Sequence, residues 1–77
     1  MTTYEVWRER ATSRLWAVRL EAGIVTGAIE VEPSEVNPDW LSSYAYSPST
    51  GAEVEQRREA FSLVGPGELI LLSAESD

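Results

Sequence analysis

The chain has no cysteine, no histidine and, among its 6 basic residues, no lysine. Without cysteine there can be no disulfide framework and no thiolate metal site, and nothing marks an oxidising compartment. The three absences together remove the side chains that most often shuttle protons or attack carbon near neutral pH. What remains is carboxylates, tyrosines and hydroxyls with no neighbouring base. Long apolar runs are missing too. No stretch approaches the roughly 20 residues of a membrane span, and "MTTYEVWRER" has neither the basic start nor the apolar core of a secretory signal. These features read as a soluble cytoplasmic chain with no membrane contact. The D-x-D-x-D-G and G-x-x-x-x-G-K-[ST] spacings are absent, and prolines interrupt the acids Glu30, Glu32, Glu35 and Asp39, which read as a solvated edge. The expectation is a protein that is not an enzyme, with no catalytic, metal-binding or cofactor-binding residues.

What the chain does have is acid and arginine. Its 13 acidic residues outnumber the basic ones and give a net charge of −7. Residues 1–20 run against that trend, with Arg8, Arg10, Arg14 and Arg19 facing only Glu5 and Glu9. Arginine in place of lysine is first what a GC-rich genome produces, and second a choice for forked, planar contacts. At 77 residues the chain is one domain, 1–77. A domain of this size removes only about 60–65% of its unfolded surface from water, so a partner or a second copy would help it.

Alternation of apolar and polar residues dominates the first third and predicts three strands joined by tight hairpins at "RATSR" and "EAGI", with Gly23 at positive φ. Setting Val6 opposite Val18 also sets Glu5 against Arg19. Setting Leu20 opposite Val25 aligns Trp16 with Ile29. The sheet then has a core face of Tyr4, Val6, Trp16, Val18, Leu20, Val25, Ile29 and Val31, with Gly27 as a gap for close approach. Its second face carries Glu5, Trp7, Glu9, Ala17, Arg19, Thr26, Ala28 and Glu30.

Residues 32–49 read as a connection with one helical turn at "NPDWL", capped by Asn37, and with Trp40, Leu41, Tyr44 and Tyr46 folded back over the sheet. "TGAEVEQRREAF" predicts a helix with Thr50 and Glu53 at capping-box spacing. "ELILLSA", after the "GPG" turn, predicts a fourth strand beside the first. The expected class is α+β: a small antiparallel sheet, β-β-β-α-β in order 3-2-1-4, with one helix packed on one face.

On that parity Trp7 stands on the second face beside Ala17 and Ala28, with Glu5 and Arg19 around it. An uncovered indole near an arginine is the composition of an interface hot spot. The reading is a small acidic non-catalytic module that binds a protein partner, or its own copy as a homodimer, through Trp7, Arg19, Ala17, Ala28 and Glu5. An inhibitor or regulator of a basic partner is its more specific form. The alternative is a nucleic-acid-binding regulator that uses the arginine hairpin, against which the net negative charge acts.

Overall fold

A computed structural model describes the backbone of residues 1–75 and the side chains of residues 1–71. Strands β1 (Thr2–Glu9), β2 (Leu15–Glu21), β3 (Ile24–Val31) and β4 (Phe61–Leu63) form one antiparallel sheet in the order β3-β2-β1-β4. Helices α1 (Pro48–Gln56) and α2 (Pro66–Glu75) flank it, with short 3-10 segments at Pro33–Glu35, Pro38–Ser43 and Arg58–Ala60. The α+β class, the 3-2-1-4 order and a helix packed against the sheet, α1 on β3, all agree with the sequence reading.

Two elements differ from it. "ELILLSA" lies in α2, and the fourth strand is instead "FSL", which begins at the last residue of the anticipated helix. A four-residue apolar run does not by itself separate a buried strand from a helix. Here Pro66 opens the helix at a position where its missing N–H costs nothing. Helix α1 starts earlier than the Thr50 capping box implies: Ser47 is its N-cap, accepting from the Thr50 N–H at 3.3 Å, with Pro48 first in the helix. It ends where Arg57 leaves helical geometry at φ −113°, ψ 27°. Asn37 caps the Pro38–Ser43 turn as expected, accepting from the Asp39 N–H at 2.9 Å.

The first hairpin is displaced by one residue from the expected pairing: Val6 faces Ala17, Trp7 faces Trp16 and Glu5 faces Val18. The turn sets this register. Ser13 adopts φ 63°, its N–H bonds the Glu9 carbonyl at 2.7 Å, and the Glu9 N–H bonds the Arg14 carbonyl at 2.8 Å. The Glu9 carboxylate then accepts from the Thr12 hydroxyl at 3.0 Å and from Arg57 at 2.9 Å.

In the second hairpin Leu20 does face Val25, across a turn in which Ala22 and Gly23 both have positive φ. A bulge between Arg19 and Leu20 shifts everything beyond it, so that Trp16 meets Glu30 and not Ile29. Arg19 holds the extra residue in place, donating to the Thr26 hydroxyl at 3.1 Å and to its carbonyl at 3.0 Å.

These shifts redistribute the faces. Val6, Leu15, Ala17 and Val31 form one buried cluster with Val36, Val64 and Leu69, under Ile29, Leu41, Tyr44 and Tyr46. Trp7, Val18, Leu20, Val25 and Ala28 form a second with Val54 and Phe61, flanked by Trp16. The sheet therefore has a covering layer on both sides. The Pro33–Glu35 and Pro38–Ser43 segments and α2 lie over the Val6 face, and α1 with the Arg58–Ala60 turn covers the Trp7 face. Gly27 is the close-approach point expected of it, with Tyr46 directly above. Trp40 is the exception among the aromatics of the connection, at 61% exposure.

Glu9 also fixes an acid dependence. The Arg57 guanidinium, and then the Thr12 hydroxyl, hold its carboxyl below the ordinary glutamate value, and the nearby Trp16 indole N–H, buried outside ideal bonding geometry, pulls the same way. A lowered folded pKa gives stability that is complete above the unfolded value, about 4.3, and lost as pH falls below it through the folded value. Urea denaturation of Glu9→Gln should show lower stability than wild type at neutral pH and a shallower further loss between roughly pH 5 and pH 3. Parallel curves for the two proteins across that range would contradict this role.

Candidate interaction surface

The five residues expected to form a contact face do not share one. Trp7 is 7% exposed, and Ala17 and Ala28 are fully buried. With the register displaced, Ala17 and Arg19 belong to the Val6 face, while Glu5, Trp7 and Ala28 belong to the other. Trp7 lies against Phe61, ring centroids 6.2 Å apart, and the Arg58 guanidinium sits 5.3 Å from its ring centre. Its indole N–H donates to Glu5 at 2.9 Å. The exposed Trp7 platform is thus replaced by a core tryptophan, because Phe61 and the turn before it cover that side of the sheet. Arg19, besides holding the bulge, stacks over Tyr46 at 5.8 Å. Tyr46 in turn packs on Tyr4 and Tyr44, donates its hydroxyl to the Leu41 carbonyl, and has its pKa pushed up to about 12, chiefly by burial.

The other arginines are engaged in the same way. Arg8 pairs with Glu68, Arg10 donates to the Phe61 carbonyl at 3.0 Å, and Arg14 lies 3.8 Å from Glu30. Arg57 pairs with Glu9, and Arg58 donates to the Gly23 carbonyl at 2.8 Å and reaches Glu55. All six arginines are held within the chain. Glu5, Glu21, Glu32, Glu35, Asp39, Glu53 and Glu59 have no ion-pair partner among the described residues. Also among the described residues, no cluster of acids could hold a metal ion, and no helix is long and apolar enough to cross a membrane.

Part of the β1 edge has no main-chain partner among the described residues. Strand β4 is 3 residues long and reaches only Trp7, Arg8 and Glu9 of the 8-residue β1. On this outer side the Val6 carbonyl accepts from the Val64 N–H and the Arg10 N–H donates to the Ala60 carbonyl. Even-numbered residues of β1 therefore point their peptide groups outward. By the same alternation Thr2 and Tyr4 point theirs outward beyond the end of β4, with no partner among the described residues. The sequence there, "TTYEV", is rich in strand formers and carries no proline or basic residue to blunt the edge.

Beside this open edge, on the Trp7 face, lies a shallow depression of about 200 Å³ lined by Glu5, Trp7, Arg58, Phe61 and Leu63. Leu63 is 63% exposed at its rim. Two of the residues singled out in the sequence, Glu5 and Trp7, do meet here, joined by Arg58, Phe61 and Leu63. Arg58 and Phe61 fall in the segment that the sequence reads as one continuous helix, and Leu63 lies between that segment and the "GPG" turn, where no element is expected. No family model matches the chain, and no curated protein or solved structure matches it either.

Proposed function

We propose that this protein is a small, non-catalytic, cytoplasmic interaction module that acts on a protein partner as an inhibitor or regulator. The observation that carries this reading is the half of β1 with no strand partner on its outer side among the described residues, which leaves outward main-chain donors and acceptors beside an exposed leucine and a depression floored by an aromatic cluster. An unpaired edge of strand-forming sequence is a template for another chain. That each of the six arginines has a partner within the chain, on top of the net charge of −7, favours a protein partner over nucleic acid, since phosphate binding depends on free cations.

Immobilised protein should retain a partner at low ionic strength and release it as salt rises, because the uncompensated charge is on the surface. Size-exclusion chromatography with light scattering decides whether a second copy of the chain takes that place. A strictly monomeric protein that retains nothing at low salt would remove the reading.

A further inference from the structure

Resting on the interaction reading above, we infer that the open edge of β1 at residues 2–5 accepts an extended, basic segment of the partner protein as an added strand, in line with β4. Three features combine in this assignment. The first is geometric: Thr2 and Tyr4 both direct peptide groups outward, so the edge offers two donors and two acceptors at strand spacing. The second is the seat for side chains. Successive residues of an added strand alternate between the two faces, so one would lie over the depression of Glu5, Trp7, Arg58 and Leu63 while its neighbours lie on the Tyr4 side.

The third is charge. The chain carries −7, and the end of the edge is marked by the exposed Glu21 opposite Thr2 and by Glu5 within the depression. Arg58, the cation of the depression, is already bound to Glu55 and to the Gly23 carbonyl. A lysine-bearing or arginine-bearing strand therefore meets two carboxylates that have no ion-pair partner among the described residues, and an acidic strand meets repulsion. In the run of residues 2–6, Thr2, Thr3, Tyr4 and Val6 are of the types that a paired strand position favours.

The probes are two synthetic peptides, Thr-Lys-Val-Lys-Val-Thr and its counterpart with Glu for Lys, titrated to millimolar concentration into ¹⁵N-labelled full chain. The lysine peptide should shift the amides of Thr2 and Tyr4 and the Trp7 indole N–H, and the glutamate peptide should leave them in place. Thr2→Pro removes one outward donor at the first residue of a strand, where proline is tolerated. It should weaken the lysine peptide about fivefold, the share of one hydrogen bond, with an unchanged thermal midpoint. Glu5→Gln keeps an acceptor for the Trp7 indole and should narrow the preference for lysine over glutamate. The inference is overturned by shifts confined to other surfaces or absent altogether, by equal response to both peptides, or by unchanged affinity in Thr2→Pro. A dimer that Thr2→Pro dissociates would assign the edge to a second copy and overturn the basic partner. If the salt-sensitive complex with a retained protein survives Thr2→Pro, this edge is not the contact and the wider interaction reading stands.

Discussion

Trp7→Ala is expected to bring the protein to the limit of folding at room temperature. The indole is 7% exposed, packs on Phe61, carries the Arg58 guanidinium over its face and donates to Glu5. Truncating a buried tryptophan costs about 3–5 kcal/mol, from lost transfer energy and from the cavity left behind. A 77-residue domain holds about 4–12 kcal/mol in all, at the usual 0.05–0.15 per residue. One substitution therefore removes between a quarter and all of the stability. Trp7→Phe keeps an aromatic ring for Phe61 and Arg58 and loses the bond to Glu5, so it should fall between the two. Urea denaturation followed by circular dichroism separates this from a surface role. A core indole lowers the midpoint steeply, whereas removal of an exposed one changes stability by about 0.5 kcal/mol or less. A Trp7→Ala protein as stable as wild type would restore the exposed platform and undo the layering of the Trp7 face.

How far the sequence discloses this molecule depends on how many layers bury it. Alternation located all three N-terminal strands, and the turn residues located both hairpins. Together with the short connections, these were enough for the strand order. Register is not legible in the same way, because hydrophobic pattern selects a pairing only where one face of a sheet is dry and the other wet. In a sheet covered on both sides, Val18 and Trp16 are as well buried beside Trp7 as they would be beside Val6, so hydrophobicity does not choose between the two pairings. The choice lies in turn chemistry: Ser13 in the left-handed region and Thr12 bonded to Glu9 fix the hairpin one residue away. A serine in that conformation leaves little trace in sequence, and neither does the bulge that Arg19 clamps.

The same reasoning accounts for the site. Glu5 and Trp7 were visible as an unusual pair on one strand face. What lies around them depends on where α1 stops, and a three-residue strand that begins at Phe61 is too short to carry a period of its own. The open half of β1 is a consequence of that short β4 and was not legible before the pairing partners were known.

Gly51→Ala should destabilise the protein by about 3 kcal/mol, the upper end of what overpacking costs, although helix propensity alone favours alanine by roughly 1 kcal/mol. The sign follows from contact geometry. A Cβ on Gly51 would stand 2.5 Å from the Gly27 nitrogen, 2.6 Å from its Cα and 2.9 Å from the Thr26 carbonyl carbon. All three atoms are main chain of β3, so no side chain can swing aside. Relief requires α1 to lift from the sheet, which pulls Val54 from the second cluster and strains the Ala28–Ser47 bridge that ties the helix start to the edge of β3. Gly27→Ala tests the other side of the same contact and should cost less. Its Cβ would meet the Tyr46 Cβ at 2.9 Å and the Arg19 guanidinium at 3.0 Å, both side-chain atoms, and Arg19 has the longer reach to yield. Ala52→Gly, one residue along and exposed, isolates the propensity and should cost about 1 kcal/mol. Midpoints that rank wild type above Ala52→Gly, and Gly51→Ala lowest, would establish that two glycine backbones in contact hold α1 against β3. A Gly51→Ala protein that is more stable than wild type would mean that the helix does not rest on the strand at this point.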